Sequence, residues 1–258
     1  MSRAAGLLWQ AVLPAGLIVA YELAAGRARN PYFPVLGDIA TAFRAAWLGP
    51  GFTEHVLPSI ANLTAGYLIG VVAGVGGGVL LGRARVLHGL FAPLAGFCLT
   101  LPVVVLLPLA VVALGVGSAM RIGVIVYSVF FVVLVNTTAG MRAVDTSLTD
   151  VGAAYRIGPV RRLFLLLLPA AAPYIVAAAR VALSAAVLVM VLSEMVGAQH
   201  GIGAVTLLAQ QDFRYDRMWA GMVLLALLGY LFNAAFAVVE RFTVVRWGMV
   251  AGTGEGVS

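Results

Sequence analysis

The sequence has little charge, and most of what it has is of one sign. Only 10% of its 258 residues are charged and 62% are hydrophobic, whereas a soluble domain carries charge on about a quarter of its residues. This composition excludes an ordinary soluble fold and is typical of a polytopic membrane protein. No polar stretch is long enough to form a second core, so we predict a single transmembrane domain over residues 1–258.

Other absences exclude whole classes of activity. All 16 basic residues are arginine and occur singly or in pairs, without the basic run of a nucleic-acid-binding surface. The single cysteine, Cys98, excludes an internal disulfide. No glycine-rich loop with lysine is present to hold ATP phosphates, so we expect no cofactor on this chain and no enzyme activity of its own. His55, His88 and His200 are far apart in sequence and are assigned to loops, so we expect no metal site.

Six hydrophobic segments approach or exceed the roughly 20 residues that a helix needs to cross a bilayer. The proline-containing stretch at about 31–59 separates the first two, and within it Asp38 to Leu48 is predicted to form an amphipathic helix in the membrane interface. The fold class predicted is all-α, with six transmembrane helices: Leu7–Ala25, Ile60–Leu81, Phe91–Leu114, Ile122–Thr138, Tyr174–Val196 and Met218–Val239.

The arginines indicate how the spans are oriented. An even number of spans places both termini on the same side of the membrane. If that side is the cytoplasm, nine arginines fall in cytoplasmic loops and six on the opposite side, which is the bias of the positive-inside rule. We therefore predict cytoplasmic termini, an extracytoplasmic segment at about 31–59 and a cytoplasmic loop at 145–169.

Glycines recur every four residues along the second span. On a helix this spacing makes one smooth stripe, along which another helix can approach closely. Two explanations stay open. The stripe packs against another helix of the same subunit, or it forms a subunit interface or a surface that slides during transport. The glycines of the stripe are Gly66, Gly70, Gly74, Gly78 and Gly82.

The cytoplasmic loop has its own helix signals. Ser147 followed by Asp150 resembles a capping box, which predicts a helix over about Leu148–Ile157. Gly158 suits a left-handed helix end, and Pro159 suits the first position of a new helix. A short helix of this kind fits either a docking element for a partner or an ordinary connector on the headgroups.

The stretch from Asp150 to Pro169 resembles the EAA loop of ATP-binding cassette (ABC) importer permeases. That motif reads Glu-Ala-Ala, three residues, Gly, nine residues, Ile, one residue, Leu-Pro. Without gaps, Asp150 falls on the Glu, Arg156 on the Gly and Leu168-Pro169 on the Leu-Pro. Two departures are plain, because Asp150 is shorter than Glu and Arg156 is bulkier than Gly.

Segments on both sides of the loop resemble the same family. They include Asn136–Asp145 before the loop, Leu168–Ile175 at its exit and Ser193–Gly203 after the fifth span. The resemblance extends roughly from Pro31 to Trp247 and is closest to the branch that imports nitrate, sulfonates and taurine.

The resemblance implies the type I importer permease fold in a bacterial inner membrane. The chain would move a small solute (sulfonate, nitrate, bicarbonate or a thiamine precursor) delivered by an external substrate-binding protein. It would pair with a second permease copy, as a homodimer or a heterodimer, and with a cytoplasmic ATPase that holds ATP and Mg. The residues implied at the ATPase contact are Asp150, Gly152, Tyr155, Arg156 and Gly158.

Polar side chains inside the spans are candidates for the substrate pathway, because such groups are costly in a bilayer. Glu194 either contacts substrate or orders the turn that follows it. Arg180 is expected to form an ion pair or to extend to the headgroups rather than to contact substrate, and Glu22 is expected at the interface. The predicted pathway residues are Thr100, Ser128, Asn136, Ser184 and Glu194.

Two other classes of function stay open. A secondary transporter or channel would work without an ATPase, although such carriers usually show internal repeats and none is visible here. The second class is a membrane scaffold subunit without transport activity. It stays open because the loop departs from the family motif.

Overall fold

The structure is a computed structural model that describes residues 3–28, 30–197 and 199–246, without the side chains of 3–11, 28, 146, 151 and 243–246. Every regular element in these ranges is helical, which confirms the predicted all-α fold. The elements are α1 (Arg3–Ala28), α2 (Leu36–Trp47), π1 (Phe52–Val56), α3 (Leu57–Arg83), α4 (Arg85–Thr100), α5 (Val103–Leu114), α6 (Ser118–Ala143), α7 (Thr146–Ala154), α8 (Pro159–Arg162), π2 (Leu163–Leu167), α9 (Leu168–Met195), α10 (Ile202–Gln211) and α11 (Tyr215–Arg246).

Four helical stretches in the described residues are long and apolar enough to cross a membrane. A fifth span is counted if the bent pair α4 and α5 crosses as one unit. The first predicted span, Leu7–Ala25, lies within α1, a helix of 26 residues. The four continuous spans are Phe52–Arg83, Ser118–Ala143, Pro159–Met195 and Tyr215–Phe242.

The predicted single span Phe91–Leu114 is wrong as one helix. The chain breaks at Leu101 and Pro102, and α4 and α5 meet at 98°. Proline has no N–H to donate and disfavours a helical conformation in the residue before it, and Leu101 is extended at φ −68°, ψ 122°. The Tyr127 hydroxyl donates to the carbonyl of Cys98 at 2.8 Å, so a neighbouring helix satisfies backbone polarity near the break.

The glycine stripe packs against α6 of the same chain. A Cβ added at Gly70 would lie 2.7 Å from Val129 Cβ, and one added at Gly78 would lie 2.5 Å from Thr137 Cβ. Only glycine permits so close an approach. Of the two explanations, packing within the subunit is the one observed. The five pairs are Gly66–Ile125, Gly70–Val129, Gly74–Val133, Gly78–Thr137 and Gly82–Met141.

These pairs also determine the direction of the helices. Each glycine contacts the residue 59 positions later, so α3 and α6 run parallel. A chain that makes two parallel crossings must return between them, and α4 with α5 is the segment available for that return. The broken pair is therefore one span rather than a re-entrant loop.

Helix α9 runs antiparallel to α3 and α6. Its end meets the start of α3, where the Ser59 hydroxyl donates to Glu194. Nearer its start, the Tyr67 hydroxyl donates to the carbonyl of Ala179 at 2.9 Å. Small residues on α9, including Ala172, Ala182 and Ala186, are fully buried, so α3, α6 and α9 form the core of residues 59–197.

Both π-helical turns precede a proline at the same distance. π1 ends at Val56 before Pro58, and π2 ends at Leu167 before Pro169. In each turn the first carbonyl accepts from the backbone N–H five residues later. A proline ring clashes with the carbonyl four residues earlier in an α-helix, and the wider π turn keeps the chain helical through that position.

The residues of 1–58 and 199–226 form a second compact unit. Its α2 confirms the predicted amphipathic helix, and the apolar face with Ile39, Ala42 and Trp47 is buried against π1. Glu22, which we placed at the interface, accepts from the N–H of Leu36 at 2.9 Å. Its carboxylate therefore caps the first residue of α2, where the helix dipole favours negative charge.

The parallel contact of α3 with α6 gives a first prediction. We expect Gly78→Ala to lower the free energy of unfolding by about 2 kcal/mol, because overpacking a tight contact costs roughly 1–3 kcal/mol. The new methyl group would meet the Leu134 carbonyl at 2.9 Å as well as Thr137. The measurement is the unfolding temperature of the purified protein in detergent.

Gly76 on the same helix is the matched control. A Cβ there meets nothing within 4 Å, so Gly76→Ala is expected to leave the unfolding temperature unchanged. Equal destabilisation by both substitutions would contradict the packing described for the stripe.

Candidate functional site

Helix α7 begins one residue after Asp145, and Asp145 is its cap. The Asp145 carboxylate accepts from the N–H of Ser147 at 2.9 Å, and its carbonyl accepts from the N–H of Leu148 at 3.1 Å. The predicted cap at Ser147 with Asp150 is therefore wrong by two residues. Asp150 has no part in that cap and lies exposed on the helix.

Helix α7 ends in a Schellman motif. The N–H of Ile157 donates to the carbonyl of Gly152 at 2.9 Å, and the N–H of Arg156 donates to that of Ala153 at 2.9 Å. This pattern requires a left-handed residue just after the helix, and Arg156 takes that conformation with φ 53°. The predicted left-handed Gly158 is wrong, because Gly158 is extended at φ −58°, ψ 155°.

The left-handed conformation of Arg156 explains why the importer motif has glycine at this position. In the ungapped frame Arg156 stands where the importer motif has glycine, and a left-handed position favours glycine because it has no Cβ. The geometry therefore accounts for the motif glycine and supports the ungapped frame. Pro159 then opens α8 at its first position, as predicted.

The structure separates the five predicted contact residues into two sets. Asp150, Tyr155, Arg156 and Gly158 are exposed, with the Tyr155 ring 79% exposed. Gly152 is buried, and a Cβ added there would lie 3.0 Å from Arg162 Nε and 3.1 Å from Leu166. Gly152 thus faces its own chain and lets α7 pack closely on the start of the next span.

The predicted pathway residues lie on three helices of one unit. Thr100 on α4 donates to the carbonyl of Phe97 at 2.8 Å, and Asn136 on α6 donates to that of Val132 at 2.8 Å. Ser128 on α6 is half-buried, and Ser184 on α9 is exposed. Thr100 and Asn136 thus satisfy part of their polarity within their own helices.

Glu194 is enclosed in the protein. It is fully buried, and its carboxylate accepts from the Ser59 hydroxyl at 2.5 Å. Ser59 is fully buried as well. Of the two predicted roles, this contact favours the structural one, and it adds a partner side chain on α3. Sequence reasoning missed Ser59, because 135 residues separate the pair.

Arg180 forms the expected ion pair. Its guanidinium donates to Glu240 on α11 at 3.0 Å, and the two side chains are 51% and 28% exposed. A partly exposed pair contributes at most about 1 kcal/mol. The contact ties the first half of α9 to the last part of α11.

The prediction that the histidines lie in loops is wrong for two of them. His55 lies in π1 and His88 lies in α4. The rings of His55 and His200 stack with their centroids 5.8 Å apart. Sequence distance therefore did not reflect distance in the fold.

Residues 52–245 match the family described as binding-protein-dependent transport system inner membrane component. The chain belongs to this family. The match includes α7, α8 and every predicted pathway residue, whereas Trp247, where the sequence resemblance ended, lies outside the described residues. The permease is thus a transport component, and not an enzyme by itself.

Named relatives of the permease lie in the predicted branch. It is 26% identical over 238 residues to the putative aliphatic sulfonates transport permease protein SsuC of Bacillus subtilis, covering 92% of this chain and 86% of that one. It is 24% identical over 194 residues to the nitrate import permease protein NrtB of Synechocystis, covering 75% and 70%. The chain is therefore the permease of an ABC importer.

A solved structure has the same fold. The inward-facing MetNI methionine ABC transporter matches with a TM-score of 0.65 and 22% identity, covering 73% of this chain and 94% of that one. This likeness confirms the type I importer fold.

The left-handed Arg156 gives a second prediction. We expect Arg156→Gly to raise the free energy of unfolding by about 1 kcal/mol, because a residue with a Cβ pays roughly 1–2 kcal/mol in this conformation. Arg156→Ala removes the charge and keeps the Cβ, so it should give no such gain. Denaturant unfolding of the purified permease measures both.

Gly158→Ala is the matched control, because Gly158 has ordinary extended angles and open space around it. It should be neutral. If Gly158→Ala lowers the stability and Arg156→Gly does not raise it, the left-handed residue is Gly158 and not Arg156.

The buried pair Ser59 and Glu194 gives a third prediction. Glu194→Ala should lower the free energy of unfolding by about 1–3 kcal/mol, because it removes the buried hydrogen bond between the Ser59 hydroxyl and the carboxylate. A double-mutant cycle with Ser59→Ala isolates the pair energy. Additive effects of the two substitutions would show that the contact contributes nothing to stability.

Proposed function

We propose that the permease is the membrane subunit of an importer that takes up a small solute and is driven through α7 by a cytoplasmic ATPase. The observation that carries this proposal is the loop geometry. α7 is short, capped at both ends and packed through Gly152 on Arg162 of α8 and Leu166 of π2, at the start of the next span. A force applied to its exposed face is therefore passed directly to a transmembrane span.

The ATPase contact is assigned to the exposed residues of the loop. Tyr155, Asp150 and Arg156 combine an aromatic ring with charges of both signs on one short segment. Aromatic and arginine side chains are common anchors in protein interfaces. ATP and Mg belong to the partner in this scheme, and the permease binds neither of them.

The orientation follows from the same loop. The bias of nine arginines against six supports a cytoplasmic location for α7 and both termini. The opposite ends of the spans then face an external substrate-binding protein, and a second permease copy completes the pore, as a homodimer or a heterodimer.

The cargo is proposed from the relatives and from one buried cation. The relatives transport aliphatic sulfonates and nitrate by name, and both are anions. Arg121 at the start of α6 is buried, and its Nε has no hydrogen-bond partner in the described residues. Because a buried N–H donor without an acceptor is costly, this side chain favours an anionic solute such as a sulfonate, nitrate or bicarbonate over a neutral thiamine precursor.

The fourth prediction tests coupling. Asp150→Lys and Tyr155→Ala should each weaken assembly with the ATPase subunit by about tenfold or more, which corresponds to about 1.4 kcal/mol. The measurement is co-purification in detergent, followed by ATP hydrolysis of the reconstituted complex stimulated by binding protein loaded with each candidate anion.

Asp212→Lys is the matched control. Asp212 is an exposed acid that ends α10, far along the chain from α7, and its reversal should leave assembly intact. Solute uptake without any ATPase would establish the secondary transporter instead. An assembled complex that moves no solute would establish the scaffold.

A further inference from the structure

Three potential metal ligands come together outside the loop and the pathway. Glu54 and His55 are adjacent in π1, and His200 lies in the bend that precedes α10. One ligand atom from each of the three side chains lies within 4.8 Å of the other two. The sequence predicted no metal site because 145 positions separate His55 from His200.

One distance in the cluster matches metal ligation better than a hydrogen bond. His200 Nδ1 lies 3.4 Å from Glu54 Oε1, whereas a good N–H···O bond measures about 2.7–3.2 Å. Two ligand atoms at about 2.1 Å from one tetrahedral zinc ion lie about 3.4 Å apart. A cation between the two side chains therefore needs little rearrangement of this pair.

The protein around the cluster holds His55 in place. Trp47 is 1% exposed and meets the His55 ring edge to face, with centroids 6.5 Å apart. The backbone nitrogen of Gly201 lies 3.5 Å from His55 Nδ1, a long contact that brings the segment before α10 beside the ring. Gly201 has φ 126°, a value that side chains rarely tolerate, and this backbone conformation directs the chain so that His200 stacks on His55.

The cluster is also accessible. The side chains of Glu54 and His200 are 55% and 56% exposed, so a cation can enter from solvent and keep water as a further ligand.

We propose that Glu54, His55 and His200 form a site for a divalent cation of the zinc class. Two imidazoles and one carboxylate with a water are the donor set of open zinc sites. Imidazole suits zinc, copper and nickel, whereas magnesium and calcium prefer oxygen ligands. The bound cation clamps π1 to the segment before α10.

Zinc titration of the full-length permease tests this proposal. The protein is purified in detergent with an affinity tag that contains no histidine, and zinc is titrated against a chromophoric chelator. We expect one zinc ion per chain. His200→Ala and Glu54→Gln should each weaken binding at least about tenfold, as expected when one of three protein ligands is lost. Millimolar calcium or magnesium should not compete.

His88→Ala is the matched control, because it removes the remaining histidine, which lies on α4 and is not one of the three ligands. It should bind zinc as the unchanged protein does. The unfolding temperature of every variant without zinc shows that each is folded, and Glu54→Gln keeps the size of the side chain if His200→Ala fails that check.

Three outcomes would overturn the site. They are no stoichiometric binding by the unchanged protein, equal weakening by His88→Ala and His200→Ala, and competition by calcium as strong as that by zinc. Because none of these measurements involves solute or ATP, failure of the cation site leaves the proposed transport function untouched.

Discussion

The close contact between α3 and α6 is the constraint on which most of this architecture depends. Five glycines on one face of α3 receive five side chains of α6, with added Cβ positions only 2.5–2.8 Å from their partners. Water cannot drive helices together inside a bilayer, so close backbone approach is a main source of attraction between spans. Because α3 and α6 run in the same direction, the chain between them must cross the membrane once in the opposite direction. The bend at Pro102 lies within that return span.

The loop at α7 depends on the same core. α6 ends at Ala143, and the chain turns back through α7 and α8 into α9. Gly152 lets α7 lie against Arg162 and Leu166, so the loop is joined to the spans by packing as well as by the chain. Asp150, Tyr155 and Arg156 are exposed on its outer side, and its inner face packs against the start of the next span. This division of one short helix gives the proposed coupling its physical basis.

Composition and hydrophobic runs were enough to predict the class, the helical fold and the approximate spans, because a bilayer permits few ways to satisfy the backbone. The amphipathic pattern of α2 and the helix start at Pro159 were also predictable, because both depend on neighbours within a few residues. The sequence predicted the helix cap at Ser147 and the left-handed residue at Gly158, whereas the structure has them at Asp145 and Arg156. Several nearby residues can satisfy the same local preference, and packing selects among them.

What the sequence by itself determined is therefore local or compositional: a helical membrane protein, its spans, its arginine bias and the spacing of one loop. The tertiary structure alone decided that the glycine stripe packs inside the subunit, that Glu194 bonds to Ser59, that Gly152 faces inward and that His55 meets His200. Each of these depends on which faces of distant helices meet. Periodicity shows that a helix has a particular face, but only the packing of the whole chain shows what that face touches.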